Sequence, residues 1–217
     1  MLDMNTWMAQ FLQALDAQFG PRVWFAGLQG SRGRGEATET SDIDVVVILD
    51  TLDAADVRAY RAMLDMLPYR ELICGFLSGR EELLHWDAAD LFQFCHDTTP
   101  LRGSLDALLP LLDDAAVARA IHSGACSIYH GCVHNMVHAQ SSEALTDLYK
   151  AASFVVQAVC FRAAGRYCRR QEELLTIADP AERQIIETYR LLRQGGTVDF
   201  DAASAALLQF AKSHILG

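Results

Sequence analysis

The densest chemistry in this sequence lies between Gly27 and Val47: Gly-Leu-Gln-Gly-Ser-Arg-Gly-Arg-Gly, a short polar stretch, then Asp42-Ile43-Asp44 opening a β-branched run. Three ways of holding a phosphate compete for it. A P-loop requires Gly-Lys-Ser/Thr after a glycine and four further residues. Gly30 and Gly35 keep that spacing, but Glu36 and Ala37 follow, and an anion where the phosphate-binding lysine belongs excludes this reading. A dinucleotide fingerprint needs G-x-G-x-x-G; Gly33 and Gly35 supply the first two glycines, and Thr38 occupies the place of the third. The third arrangement accommodates the whole stretch. Gly30-Ser31 at a strand end exposes backbone N–H groups and adds a hydroxyl donor, together a cradle for a triphosphate.

Asp42 and Asp44 strengthen that third reading. Side chains at i and i+2 leave a strand on one face, so both carboxylates point to one place. Two like charges so close each raise the other's pKa unless a cation lies between them. Mg²⁺ is a hard ion that takes carboxylate oxygens and leaves positions for substrate phosphates. A Gly-Ser cradle beside a paired-aspartate metal site is what nucleotidyl transfer requires.

The elements that must position these residues follow from periodicity. Trp7, Met8, Phe11, Leu12, Leu15 and Phe19 form one helical stripe, with Asn5 or Thr6 as cap and Gly20-Pro21 as stop. Val23–Leu28 and Ile43–Leu49 read as strands on either side of the Gly-rich turn. Residues 53–67 read as a helix ending at Pro68, residues 72–77 as a third strand, and residues 90–96 as a fourth. After the Pro100–Pro110 region every periodic stretch is helical: 115–139, 142–169, 180–194 and 202–216, with Asp179-Pro180 opening the third and Asp201 capping the last. The expected fold is α+β: a small mixed sheet with flanking helices over residues 1–108, followed by an all-α bundle over 109–217.

Composition narrows the class. The 217 residues carry 28 acidic and 18 basic side chains, a net charge of −10. That balance argues against non-specific nucleic-acid binding, which depends on neutralising phosphates with Lys and Arg. Only Lys150 and Lys212 are lysines. Apolar runs such as Val45–Leu49 fall well short of the ~18 residues of a bilayer span, and the N-terminus shows no basic, apolar leader. Cys74, Cys95, Cys126, Cys132, Cys160 and Cys168 form no C-x-x-C pair and read as reduced, mostly buried thiols. These features predict a cytoplasmic protein without a membrane partner, of undetermined oligomeric state.

Gly30-Ser31, Gly35 and Ser41-Asp42-Ile43-Asp44 resemble the signature of the DNA polymerase β-like nucleotidyltransferase superfamily. The order of a small catalytic half followed by helices is similar to the bacterial aminoglycoside (kanamycin-type) nucleotidyltransferases. The resemblance implies that Gly30 and Ser31 hold nucleotide phosphates and that Asp42 and Asp44 bind Mg²⁺. It also implies an NTP substrate, ATP first, and a hydroxylated acceptor, either a small aminoglycoside-like molecule or, as in antitoxin-like relatives, a partner protein. A catalytically weak or inactive nucleotide-binding module is the alternative.

A third carboxylate usually lies on the strand after the helix. In this sequence Glu71 is the only acid there, sharing by alternation a face with Ile73 and Gly75, and Asp97 is the fallback. The resemblance assigns a helical-domain lysine to the triphosphate, which makes Lys150 a nucleotide-binding candidate. His130, His134 and His138 recur every four residues with His122 on the same helix, so His134 is a candidate general base, and a zinc site or ordinary helix-interface histidines are the other readings.

Overall fold

The computed structural model describes residues 3–39 and 41–217. Helix α1, Met4–Phe19, begins at Asp3, whose carboxylate accepts the Asn5 N–H at 3.1 Å, so the cap lies ahead of the expected Asn5 or Thr6. It is followed by β1 (Val23–Leu28), α2 (Gly30–Arg34), β2 (Ile43–Leu49), α3 (Ala54–Leu64) and β3 (Ile73–Gly79). Then come α4 (Arg80–Leu84), α5 (Ala88–Asp97) and β4 (Thr99–Arg102). The rest is helical: α6 (Asp114–His134) with a π-helical turn at Asn135–Ala139, α7 (Ser142–Ala164), α8 (Gln171–Ile177), α9 (Pro180–Arg193) and α10 (Phe200–Leu216). The architecture is the expected α+β arrangement, a mixed sheet with flanking helices followed by many helices.

The sheet runs β3-β2-β1-β4, with β1 antiparallel to both β2 and β4, and β2 parallel to β3. Alternation along β2 divides its residues cleanly. Ile43, Val45, Val47 and Leu49 pack with Trp7, Phe11 and Leu15 of α1 and with Tyr60, Met63 and Leu64 of α3. Asp44, Val46 and Ile48 therefore face the other side. On that side Phe76, in register with Val46, meets Phe94 and Trp86 edge-on at ring separations of 5.1 and 5.6 Å.

Three expectations fail locally. Residues 90–96 are helix, not strand: Leu91, Phe92 and Cys95 follow helical spacing, and the fourth strand begins only at Thr99. The helix expected over 142–169 ends at Ala164, where Gly165 caps α7, and α8 begins beyond that stretch at Gln171. Asp199, rather than Asp201, caps α10, accepting the Ala202 N–H at 2.7 Å.

The chain divides into two compact units, Met1–Asp87 with Phe94–Pro110, and Ala88–Gln93 with Leu111–Gly217. The second unit thus takes in residues 88–93, ahead of the boundary expected near 108. Its core gathers Ile121, Ile128, Leu145, Tyr149, Val156 and Ile186, among others. Helix α7 has the length and hydropathy of a bilayer span, but half of that window is buried in this core.

Candidate active site

Strand β1 ends at Leu28, and the chain turns at Gln29 into the short helix α2. The Gln29 N–H donates to the Asp44 carbonyl at 2.8 Å, which fastens the turn to β2 at the second aspartate. Gly30 then adopts φ +67° against the Asp44 side chain; a Cβ at this position would lie 1.8 Å from Asp44 Oδ2. Only glycine serves there, because any side chain would both strain the backbone and displace the carboxylate. The N–H groups of Gly30, Ser31 and Arg32 head α2 and have no partner within it. The turn and the second aspartate of the Asp42–Asp44 pair are in contact.

Both arginines of the turn are engaged in holding it. Arg32 donates to the Ser41 carbonyl at 2.7 and 3.1 Å and to the Asp42 carbonyl at 3.1 Å, joining α2 to the segment that leads into β2. Arg34 reaches Asp97 at 2.6 Å and Glu36 at 3.3 Å. Burial disfavours the Arg34 guanidinium, but Asp97 and Glu36 more than offset this, and its pKa is held above the ordinary arginine value. The sequence reading did not single out these arginines. Two arginines flanking Gly33 within a turn of so acidic a chain were the available signal.

Asp42 is exposed and Asp44 half-buried. In the parallel β2–β3 ladder the partner of Asp44 is Cys74, which shares its face and is exposed. Gly75, with φ +135° and a Cβ position 1.9 Å from the Val45 carbonyl, lets β3 close tightly on β2 beside this pair. Glu71 lies outside the strand, in the 3₁₀ turn Arg70–Leu72, and is exposed. Strand alternation, which grouped it with Ile73 and Gly75, does not extend to a residue ahead of β3, and the register matches Asp44 with Cys74 rather than Glu71. Asp97, the fallback, is 5% exposed and bound to Arg34.

The other candidates belong to the helical unit. Lys150 is exposed on α7. His122, His130, His134 and His138 are exposed; the His134 and His138 rings lie 4.9 Å apart, and His122 Nε2 is 3.7 Å from Cys126 Sγ. Among the described residues, no three His, Cys, Asp or Glu side chains gather as a metal-binding group.

Residues 8–82, which contain the turn, both aspartates and β3, match the family described as the nucleotidyltransferase domain. Over these residues the chain carries a nucleotidyltransferase domain, the domain of a transferase. The fold of the whole chain is similar to that of the spectinomycin adenyltransferase AAD(9) from Enterococcus faecialis, solved with ATP and spectinomycin. The TM-score is 0.61 at 12% identity, over 97% of this chain and 100% of that one. A second solved structure, a nucleotidyltransferase-like protein from Exiguobacterium sibiricum, matches with a TM-score of 0.35 at 11% identity, over 99% of this chain and 75% of that one. No curated protein sequence matches significantly.

Proposed function

We propose that this nucleotidyltransferase-domain protein moves a nucleoside monophosphate, AMP first, from an NTP to a hydroxyl of a small polyhydroxylated acceptor. The single observation that carries the reading is the packing of Gly30 on the Asp44 carboxylate, which sets the Gly-Ser turn and a carboxylate side by side. Asp42 and Asp44 offer oxygen donors only, a set that suits Mg²⁺ and leaves room for phosphate oxygens. Mg²⁺ held there would polarise the α-phosphate and neutralise the departing pyrophosphate. Gly30 and Ser31 would orient the phosphates through backbone N–H groups and the serine hydroxyl. The acceptor class is taken from the fold-level likeness to an adenyltransferase solved with ATP and spectinomycin.

A second reading, nucleotide binding with slow turnover, is favoured by one feature. The β3 residue in register with Asp44 is a cysteine, so the strand adds no third carboxylate to that face. Pyrophosphate release from each NTP in Mg²⁺, with and without spectinomycin and related aminocyclitols, separates the two. Acceptor-dependent release that disappears in Asp44→Asn supports transfer. NTP binding without release supports the binding module, and neither binding nor release defeats both.

A further inference from the structure

Asp97 matches the profile of a catalytic acid in one respect, being a carboxylate close to the Gly-rich turn, but its surroundings give it different work. It is buried at 5% exposure, and the Arg34 side chain that it holds is only 11% exposed. Three neighbouring contacts run between the same two segments. Gln29 Nε2 donates to Thr98 Oγ1 at 2.6 Å and to the Phe94 carbonyl at 3.2 Å. The Thr99 hydroxyl donates to the Gly33 carbonyl at 3.5 Å. Gly33 leaves no room for a side chain, because its Cβ would lie 2.9 Å from the Leu28 carbonyl. The turn from Gln29 to Glu36 is thus bound on one flank to residues 94–99, while Arg32 binds its other flank to Ser41 and Asp42.

We infer that Arg34 and Asp97 are positioning residues, whose buried ion pair fixes the Gly30–Ser31 turn against Asp44 and so prepares it for a nucleotide triphosphate. The physical reason is cost. A buried guanidinium without its carboxylate is strongly unfavourable, so the turn cannot move away from residues 94–99 without exposing both charges or separating them. An arginine engaged in this way is not a free phosphate ligand, and its contribution to binding is the preorganisation of backbone donors. This inference rests on the nucleotide reading for its function, though the clamp itself is a property of the chain alone.

The test uses the full chain and two measurements. Hydrogen exchange of the unliganded protein is compared between wild type and Asp97→Asn, with Asp97→Glu as the conservative variant. Calorimetric titration with a non-hydrolysable ATP analogue in Mg²⁺ is run on the same three proteins. In Asp97→Asn the amides of residues 30–36 should exchange about tenfold faster or more, while those of Val45–Ile48 keep their rates, as a local rather than global opening requires. The analogue's Kd should rise about tenfold at unchanged stoichiometry, the scale of lost preorganisation, and Asp97→Glu should recover most of it. A purely structural role would instead lower the fraction of binding-competent molecules at constant Kd, and that result overturns the inference. So does unchanged exchange at residues 30–36. Wild type that binds no analogue defeats the nucleotide reading, and the exchange result then decides the clamp alone.

Discussion

Among the neighbouring acids of this chain, the fold treats two pairs in opposite ways. Asp42 and Asp44 leave the start of β2, one exposed and one half-buried, with a Gly-rich turn pressed against the second. Asp179 and Glu182 form a capping box at the start of α9, where Asp179 accepts the Ala181 and Glu182 N–H groups and Glu182 accepts the Asp179 N–H at 3.0 Å. The second pair satisfies itself. Burial first, then the hydrogen bond and the charge of Asp179, push Glu182 up to about 7, while the Glu182 hydrogen bond and the backbone donors hold Asp179 below its ordinary value. One proton shared between the two relieves their repulsion. Adjacent carboxylates relieve their repulsion either by holding a proton between them or by taking a cation.

The comparison breaks most sharply at Asp44. Asp44→Asn should reduce acceptor-dependent pyrophosphate release by about a thousandfold, the upper scale for removing one preorganised electrostatic group. Glu182→Gln, in the self-satisfied pair, should leave release within about twofold, as expected of a residue that only caps a helix. Equal losses in both variants would show that the distinction between the pairs is wrong. Gly30→Ala attacks the same contact from the other side. Its Cβ would overlap Asp44 Oδ2 at a φ that costs a non-glycine residue roughly 1–3 kcal/mol. Thermal melting should register that strain, and NTP titration should show binding largely lost.

Cys74→Asp would sharpen the contrast by adding an acid in register with Asp44. Mn²⁺ binding followed by electron paramagnetic resonance should tighten about tenfold, since a third carboxylate oxygen suits a hard cation. Cys74→Ser should not tighten it.

The smallest effect is the pH dependence of the capping pair. Glu182 is raised in the folded state from 4.5 to about 7, so the folded chain keeps a proton that the unfolded chain releases across that interval. The stabilisation is therefore complete below 4.5 and declines as pH rises to about 7. Asp179, being lowered, works in the other direction and loses its contribution only as pH falls below its ordinary 3.8. Discounted for solvent screening, the Glu182 effect is about 1 kcal/mol, or roughly 2–4 °C in Tm for a protein of this size. Wild type should melt lower at pH 8 than at pH 5, and Glu182→Gln, which mimics the protonated form, should flatten that slope.

The sequence by itself determined the local elements and the identity of the turn. Val23–Leu28 and Ile43–Leu49 were legible as strands because buried β-branched runs of that length bounded by turn residues have few other solutions. Alternation predicts one face for Asp42 and Asp44; β2 takes in Asp44 but begins only at Ile43, after Asp42. Long-range register and pairing were not legible. Nothing local in Leu91–Phe94 says that Phe92 belongs to the helical core while Phe94 meets Phe76 on the sheet, so the run read as a strand and folded as a helix. Only the parallel register of β2 and β3 puts Cys74, and not Glu71, beside Asp44. Only tertiary packing joins Arg34 to Asp97 across 63 positions of the chain, because burying a charge is tolerable only where its partner is brought to it.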